Sequence, residues 1–222
     1  MREFIIGINE AGQRLDKYLK KILPNASSGF LYKMLRKKNI TCNKAKMTGK
    51  EQLKKGDRIQ IFFSEETFMK FMQDPEKLKN EFEQLKTLPL KGLRVVYEDE
   101  DILIADKPYN MLSQKAKDHD ISANEYLLGY LIRSGSLELE GFASFRPSVC
   151  NRLDRNTTGL LLMGKSLNGS QTLSQALKDR TIRKFYRALV SGKIKESAHL
   201  SGYLRKDEKT NQVEILEKEA DN

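Results

Sequence analysis

Apolar residues in the first 63 positions follow first a helical and then a strand-like spacing. Residues 13–23 carry leucine and isoleucine at helical intervals with lysines on the other faces, and Pro24 ends that helix. Ser27 is a candidate N-cap for a second helix, which places leucines on one side and lysines on the other. A short strand at residues 40–42 and an alternating segment at 58–63 follow. The pattern predicts a small domain of two helices and a sheet.

Residues 64–91 have the pattern of a linker or accessory helix rather than of a separate domain. Pro75 divides this stretch, and beyond it Leu78, Phe82 and Leu85 are spaced to form one apolar face among lysines and glutamates. We expect this helix to pack on one of its two neighbours.

The pattern of residues 92–222 predicts a mixed, mainly antiparallel sheet with helices. Residues 94–97 and 102–105 predict a hairpin, and Ser122 with Glu125 fits a capping box before a buried helix. Further along, the spacing predicts a strand at 160–163, a helix at 170–179 and a strand within 181–194. The expected fold class is therefore α+β, divided as 1–63, 64–91 and 92–222.

Charge is distributed very unevenly between these segments. The chain carries a net charge of +10, and the whole excess lies within residues 1–63, whereas residues 64–222 are neutral on balance. A small basic module joined to a neutral body predicts polyanion binding by the first part and another task for the second. An alternative interpretation is that the lysines only keep a small helical domain in solution.

The composition argues against zinc and membrane functions. Two cysteines, Cys42 and Cys150, lie far apart, and the two histidines are His119 and His199. These are too few ligands for a Cys/His zinc site. No apolar run approaches the roughly 18 residues that a membrane helix needs. We expect a soluble, reduced, cytoplasmic protein without a metal site, and the sequence does not indicate an oligomeric state.

The segment NRLDRNTTGLLLMGKS, residues 151–166, carries the candidate chemistry. Arg152 and Asp154 stand two residues apart, and residues at this spacing in an extended segment point to the same side. A cation beside a carboxylate favours its ionised form, which suits a nucleophile better than a proton donor. The alternative is a hairpin with an ordinary Arg–Asp surface pair.

This segment resembles the signature of the RluA-type RNA pseudouridine synthases, with Asn151 where that family normally has histidine. The matching residues are Arg152, Leu153, Asp154, Thr157, Thr158, Gly159, Leu160 and Lys165. The resemblance implies that Asp154 is the nucleophile and that no cofactor is required. It also implies that Arg152 fills the space vacated by an extruded uridine and holds phosphate.

Two further segments are similar to motifs of the same family. The run 95–114 contains Lys107-Pro108, which the resemblance implies is a structural and RNA-facing element near the nucleophile; Tyr109-Asn110 replaces the usual Ala-Gly. Residues 184–188 match a Lys-x-Tyr-x-Ala motif. By resemblance Lys184 contacts RNA, and Tyr186 stacks on the target base and assists proton transfer. Without the resemblance, Tyr186 would be taken as a half-buried aromatic of a strand.

Residues 13–63 resemble the alpha-L RNA-binding module of a ribosomal small-subunit protein. The residues that carry this resemblance are Arg14, Leu15, Asp16, Leu19, Leu35, Asn43, Gly56 and Asp57. We expect the phosphate contacts to come from basic side chains of this module, without reading of base sequence. The candidates are Arg14, Lys17, Lys33, Arg36 and Lys37.

Together these resemblances imply an enzyme that isomerises specific uridines to pseudouridine in structured RNA. Ribosomal RNA is favoured over transfer RNA because of the basic module. Family members normally continue through further strands, so we expect the catalytic domain of this chain to be incomplete at its C-terminal side. Two alternatives stay open: a non-catalytic RNA-binding protein derived from a truncated synthase, and a hydrolase such as a nucleoside glycosidase that uses Asp154.

Overall fold

Two separate apolar cores organise the first 183 residues of the chain. The computed structural model describes residues 1–7, 9–207 and 212–216. The chain divides into two units, residues 1–183 and 184–222. Within the first unit, one core is built from buried side chains between Ile6 and Phe68 and the other from those between Phe82 and Met163. The domain boundaries expected at 63 and 91 lie inside this unit and stay predictions.

The first core lies between two helices and a three-stranded antiparallel sheet. The strands are β1 (Arg2–Ile5), β2 (Ile40–Cys42) and β3 (Arg58–Ile61), in the spatial order β1-β3-β2. The helices are α1 (Leu15–Ile22) and α2 (Ser28–Arg36). The predicted helices and the strands β2 and β3 are confirmed, and the Ser27 hydroxyl caps α2 by accepting from Phe30 N at 3.2 Å. Strand β1 was not predicted.

Two helices, not one, occupy residues 64–91. They are α3 (Glu65–Phe71), which places Phe68 in the first core, and α4 (Pro75–Thr87), which places Phe82 and Leu85 in the second. Pro75 begins α4, and Asp74 caps it by accepting from Glu76 N at 3.0 Å. The predicted apolar face of α4 is thus confirmed.

The second core lies beneath a four-stranded antiparallel sheet in the order β4-β5-β7-β6. Its strands are β4 (Arg94–Glu98), β5 (Ile102–Lys107), β6 (Ser148–Val149) and β7 (Gly159–Gly164). The helices of this part are α5 (Ala123–Arg133), α6 (Leu139–Ser144) and α7 (Leu167–Lys178). The predicted hairpin, capping box and helix α7 are confirmed, and a mixed α/β fold with antiparallel sheets results.

Glycine allows α7 to lie directly against the β4–β5 turn. A Cβ atom at Gly169 would stand 2.0 Å from the carbonyl oxygen of Asp101. The Ser166 hydroxyl caps α7 by accepting from Gly169 N at 2.9 Å, and Lys165 N donates to the same Asp101 carbonyl at 2.8 Å. The turn before β5 and the start of α7 are therefore fixed to each other.

The strand expected within residues 181–194 is absent, so that prediction was wrong. In the described part of the second unit, the strands are β8 (Tyr203–Lys206) and β9 (Val213–Leu216), which pair with each other. A strand requires a neighbour that accepts and donates its backbone hydrogen bonds, and no described residue pairs with 184–194. Phe185 and Leu189 are 84% and 103% exposed, so no core fixes this segment either.

No helix in the described ranges is both long and apolar enough to cross a lipid bilayer.

We predict that Gly169→Ala destabilises the chain, because the added methyl meets a backbone carbonyl rather than a flexible side chain. Overpacking of this kind costs about 1–3 kcal/mol, measured as the free energy of unfolding in urea. Gly141→Ala in α6 is the matched control, since its added Cβ meets only Leu137 Cδ1 at 3.7 Å. Equal stability of the two variants would contradict the close packing of α7.

Candidate active site

The loop that joins β6 to β7 carries the predicted nucleophile on a tight turn. Thr157 N donates to Asp154 O at 3.0 Å, which closes a four-residue turn with Asp154 at its first position. Gly159 begins β7 with a φ of +127°. This conformation is costly for residues with a side chain, which explains the glycine after Thr157-Thr158.

The side-chain amide of Asn151 closes this loop against β7. Its Nδ2 donates to Leu160 O at 3.0 Å, and its Oδ1 accepts from Leu162 N at 2.8 Å. The amide thus supplies the two hydrogen bonds that a neighbouring strand peptide would supply. Asparagine in place of the family's histidine therefore has a clear structural role at the base of the loop.

Ser113 fixes the peptide groups just before Asp154. The buried Ser113 hydroxyl accepts from Leu153 N at 2.9 Å and donates to Leu153 O at 2.6 Å. The carbonyl of Ser113 in turn accepts from the hydroxyl of Ser122, which caps α5, at 3.3 Å. The segment before α5 and the signature loop are consequently held as one piece.

Lys107 lies at the end of β5, opposite Gly159 of β7, and is fully buried. Its Nζ donates to Met111 O at 2.8 Å, Pro108 O at 3.2 Å and Arg155 O at 3.3 Å. Burial lowers the pKa of Lys107, and the charge of Asp154 opposes this to a smaller extent. Its three protons are directed at protein carbonyls, and the expected contact of Lys107 with RNA stays a prediction.

Asp154 itself is exposed. Among the described residues, no group forms a hydrogen bond or ion pair with its carboxylate, while Lys107 attracts it electrostatically. Arg152 is also exposed, and the expected Arg152–Asp154 pair does not form within the described chain. Because residues 152–154 belong to a loop and not to an extended strand, the two-residue spacing does not bring the side chains together. The carboxylate is left available to an incoming reagent.

A cleft of about 420 Å³ adjoins this turn. One wall is the loop that follows β5, residues 108–112, and another contributor is Arg155, the residue after Asp154. Asp154 does not itself line the cleft. The remaining lining residues are Lys91, Asp120, Ile121 and Tyr126.

The basic residues expected to bind RNA in the first core fall into two groups. Lys17, Lys33, Arg36 and Lys37 are exposed, and within the described ranges their side chains have no hydrogen bond or ion pair. Arg14 is instead engaged with Asp16 through contacts of 3.1 and 2.7 Å. Hydrogen bonding to Asp16 raises the pKa of Arg14, so this guanidinium is partly committed to a structural pair.

Lys184 and Tyr186 belong to the second unit and lie in the exposed segment without helix or strand. Their expected roles stay predictions. No cluster of three or more His, Cys, Asp or Glu side chains suited to a metal ion occurs in the part of the chain that the structure describes.

Three contributors to this site were missed by the sequence patterns. A serine such as Ser113 is common in loops, and its contact with a residue 40 positions away has no local signal. The cleft residue Arg155 follows the predicted nucleophile directly, and this position beside Asp154 is the one signal that the sequence contains for it. The departure at Asn151 was visible, but its pairing with β7 was not.

We predict that Asn151→Ala destabilises the loop, because Leu162 N and Leu160 O both lose a partner. The expected loss is about 1–3 kcal/mol in the free energy of unfolding, with faster hydrogen exchange at the Leu162 amide. Gln114→Ala is the control, since that amide makes one contact of 3.4 Å to Val149 O. Unchanged exchange at Leu162 in Asn151→Ala would exclude the proposed closure of the loop.

Comparison with known proteins adds sequence relatives to this geometry. The family model described as RNA pseudouridylate synthase matches residues 101–222. An uncharacterised RNA pseudouridine synthase of Mycoplasma genitalium is 27% identical over 92% of this chain and 61% of its own length. Ribosomal large subunit pseudouridine synthase C of Rickettsia felis is 32% identical over 85% of this chain and 58% of its own length. The chain thus spans about three-fifths of the length of these relatives.

Among solved structures, human RNA pseudouridylate synthase domain containing 4 aligns with a TM-score of 0.31 and 17% identity, covering 46% of this chain and 35% of that one. The family model matches more than half of the chain and includes the whole signature segment from Asn151 to Ser166. By this match, the chain belongs to the RNA pseudouridine synthase family.

Proposed function

We propose that this chain converts specific uridines of ribosomal RNA to pseudouridine, with Asp154 as the nucleophile. The single observation that carries the proposal is an exposed carboxylate that has no hydrogen bond to any described residue and stands on a turn fixed by Lys107, Ser113 and Asn151. A nucleophile must be free to reach the reacting atom and yet be held in position. The ribosomal substrate is supported by the names of relatives that are large-subunit synthases, and it implies action in the cytoplasm.

In the proposed reaction, the bond between the ribose and uracil N1 breaks and a bond from the ribose to uracil C5 forms. Asp154 attacks either the anomeric carbon or C6 of the ring, and the proton on C5 leaves at the end. Uridine within a duplex must first leave the stack, which costs a few kcal/mol. Arg152 is exposed and unpaired among the described residues, so it is free to hold a phosphate or fill the vacated space. Tyr186 would stack on the base and assist proton transfer.

The first core would supply affinity as a basic module of the alpha-L type. Its support is the charge excess in residues 1–63 and the exposed cations at the C-terminal end of α2, which are unpaired within the described part of the chain. Cations at this end of a helix also interact favourably with the helix dipole. An experiment must therefore separate their contribution to helix stability from their contribution to RNA binding.

Tritium release from ribosomal RNA labelled at uracil C5 tests the proposed reaction. An isomerase releases tritium while the base stays in the RNA, a binding protein releases none, and a glycosidase frees uracil. Asp154→Asn should lower release by about 10⁴-fold or more, because the nucleophile is lost, with RNA affinity nearly unchanged. The matched control is Asp118→Asn, another exposed aspartate. Release that persists in Asp154→Asn would remove this residue from the assigned role.

Charge reversal at Lys33, Arg36 and Lys37 should weaken RNA binding and reduce its dependence on salt. Each lost phosphate contact lowers the slope of log K against log salt concentration by about 0.7–0.9, so the triple reversal should lower it by up to about 2–3. The control reverses Lys77, Lys79 and Lys86, which are exposed on α4 and change the net charge equally. Equal slopes in both triple variants would place RNA contacts elsewhere.

A further inference from the structure

Tyr109 is a large aromatic side chain that the fold leaves in solvent. It is 65% exposed and lines the cleft of about 420 Å³ beside the signature turn. In the described part of the chain, its ring has no aromatic or cationic partner and its hydroxyl has no hydrogen bond. It occupies, with Asn110, the position where the family resemblance leads one to expect Ala-Gly. The proposed isomerisation gives this pair no role.

Hydrogen bonds hold the backbone on both sides of Tyr109. Lys107 Nζ donates to the carbonyl before it, Pro108 O, at 3.2 Å and to Met111 O after it at 2.8 Å. Asn110 adopts a left-handed φ of +60°, which turns the chain back toward the core at once. The aromatic ring is therefore carried by a loop whose backbone is hydrogen-bonded on both sides of Tyr109.

The charges around the cleft favour an anionic occupant. Arg155 is exposed, and within the described ranges its side chain has no ion pair or hydrogen bond. Lys91 Nζ lies 5.7 Å from the ring centroid of Tyr126. The single carboxylate of the lining, Asp120, accepts from Ala116 N at 3.1 Å and Lys117 N at 2.8 Å. The cleft thus carries the exposed Arg155 and the ring-bound Lys91 against one carboxylate, which accepts from two backbone amides and lies 3.9 Å from His119 Nε2.

An exposed aromatic ring beside cations is the combination that binds unpaired nucleotides: the ring stacks on the base and the cations contact the backbone. Stacking tolerates any base, because every base has a π face. Arg155 lines this cleft while Asp154 does not, so a nucleotide in the cleft would lie beside the Asp154 carboxylate and not at it.

We propose that Tyr109 stacks on the base of an RNA nucleotide that neighbours the target uridine, with Arg155 and Lys91 contacting its phosphates. The assignment rests on the proposed function, because it takes the occupant to be the substrate RNA bound at Asp154. It adds a binding subsite that selects for an unpaired nucleotide beside the modified position.

Photo-cross-linking of the full chain to a single-stranded oligouridylate that carries one 5-iodouridine tests the subsite. Iodouracil joins efficiently to an aromatic ring only when the two are stacked, so the linked residue identifies the stacking partner. We expect the link at Tyr109, located by fragment sequencing that separates it from the exposed Tyr97 in the same tryptic peptide. Tyr109→Ala should abolish the link and raise the Kd about 5- to 100-fold, whereas Tyr109→Phe and the control Tyr97→Ala should retain both.

The same experiment on Asp154→Asn separates this subsite from the proposed reaction. We expect the variant to keep the Tyr109 link while losing tritium release. A link at Tyr109 in a wild-type chain that releases no tritium would support the subsite and count against the isomerase. Links at other residues, together with unchanged affinity in Tyr109→Ala, would overturn the subsite and leave the role of Asp154 intact. Binding of a peptide but no RNA in the cleft would also overturn the subsite.

Discussion

A buried ammonium group holds the candidate site together. Removing the charge of Lys107 from water is costly, and three carbonyl oxygens offset that cost by accepting its protons. Two of these carbonyls belong to the loop after β5, and the third belongs to the turn that carries Asp154. The amine therefore sets the distance between the two loops that form the site. Without it, three carbonyls directed at the interior would lack their common donor.

Much of the fold could be predicted because it is encoded locally. Helices α1, α2 and α4 have one clear apolar face, and Ser27 and Ser122 stand where their caps require them. The strands β1 and β6 and the short helices α3 and α6 were missed, since their few residues are ordered by the cores on which they pack. Strands β8 and β9 were not predicted either. The strand predicted within residues 181–194 is absent for a different reason. Alternation describes the two faces that a strand would have, but it does not supply a pairing partner.

The sequence locates the candidate nucleophile of the site but not the groups that surround it. A motif located Asp154, because its neighbours in sequence are also the residues that build its turn. The cation beside it was assigned to Arg152 by spacing, whereas the structure supplies Lys107, whose contact with Arg155 spans 48 positions. Pairings across such separations depend on the register of β5 against β7, in which Lys107 faces Gly159. Periodicity within one segment contains no information about that register.

The Asn151 amide gives the signature segment a property that surface loops usually lack. Its bond to Leu160 O, nine positions away, makes the intervening residues a ring of fixed circumference. Ordinary loops tolerate added or missing residues because their ends are independent of their contents. Here a single inserted residue would have to bulge outward or break the ring. A change in the number of residues between Asn151 and Leu160 would therefore act on this hydrogen bond directly, whereas an exchange of side chains along the ring would leave it in place.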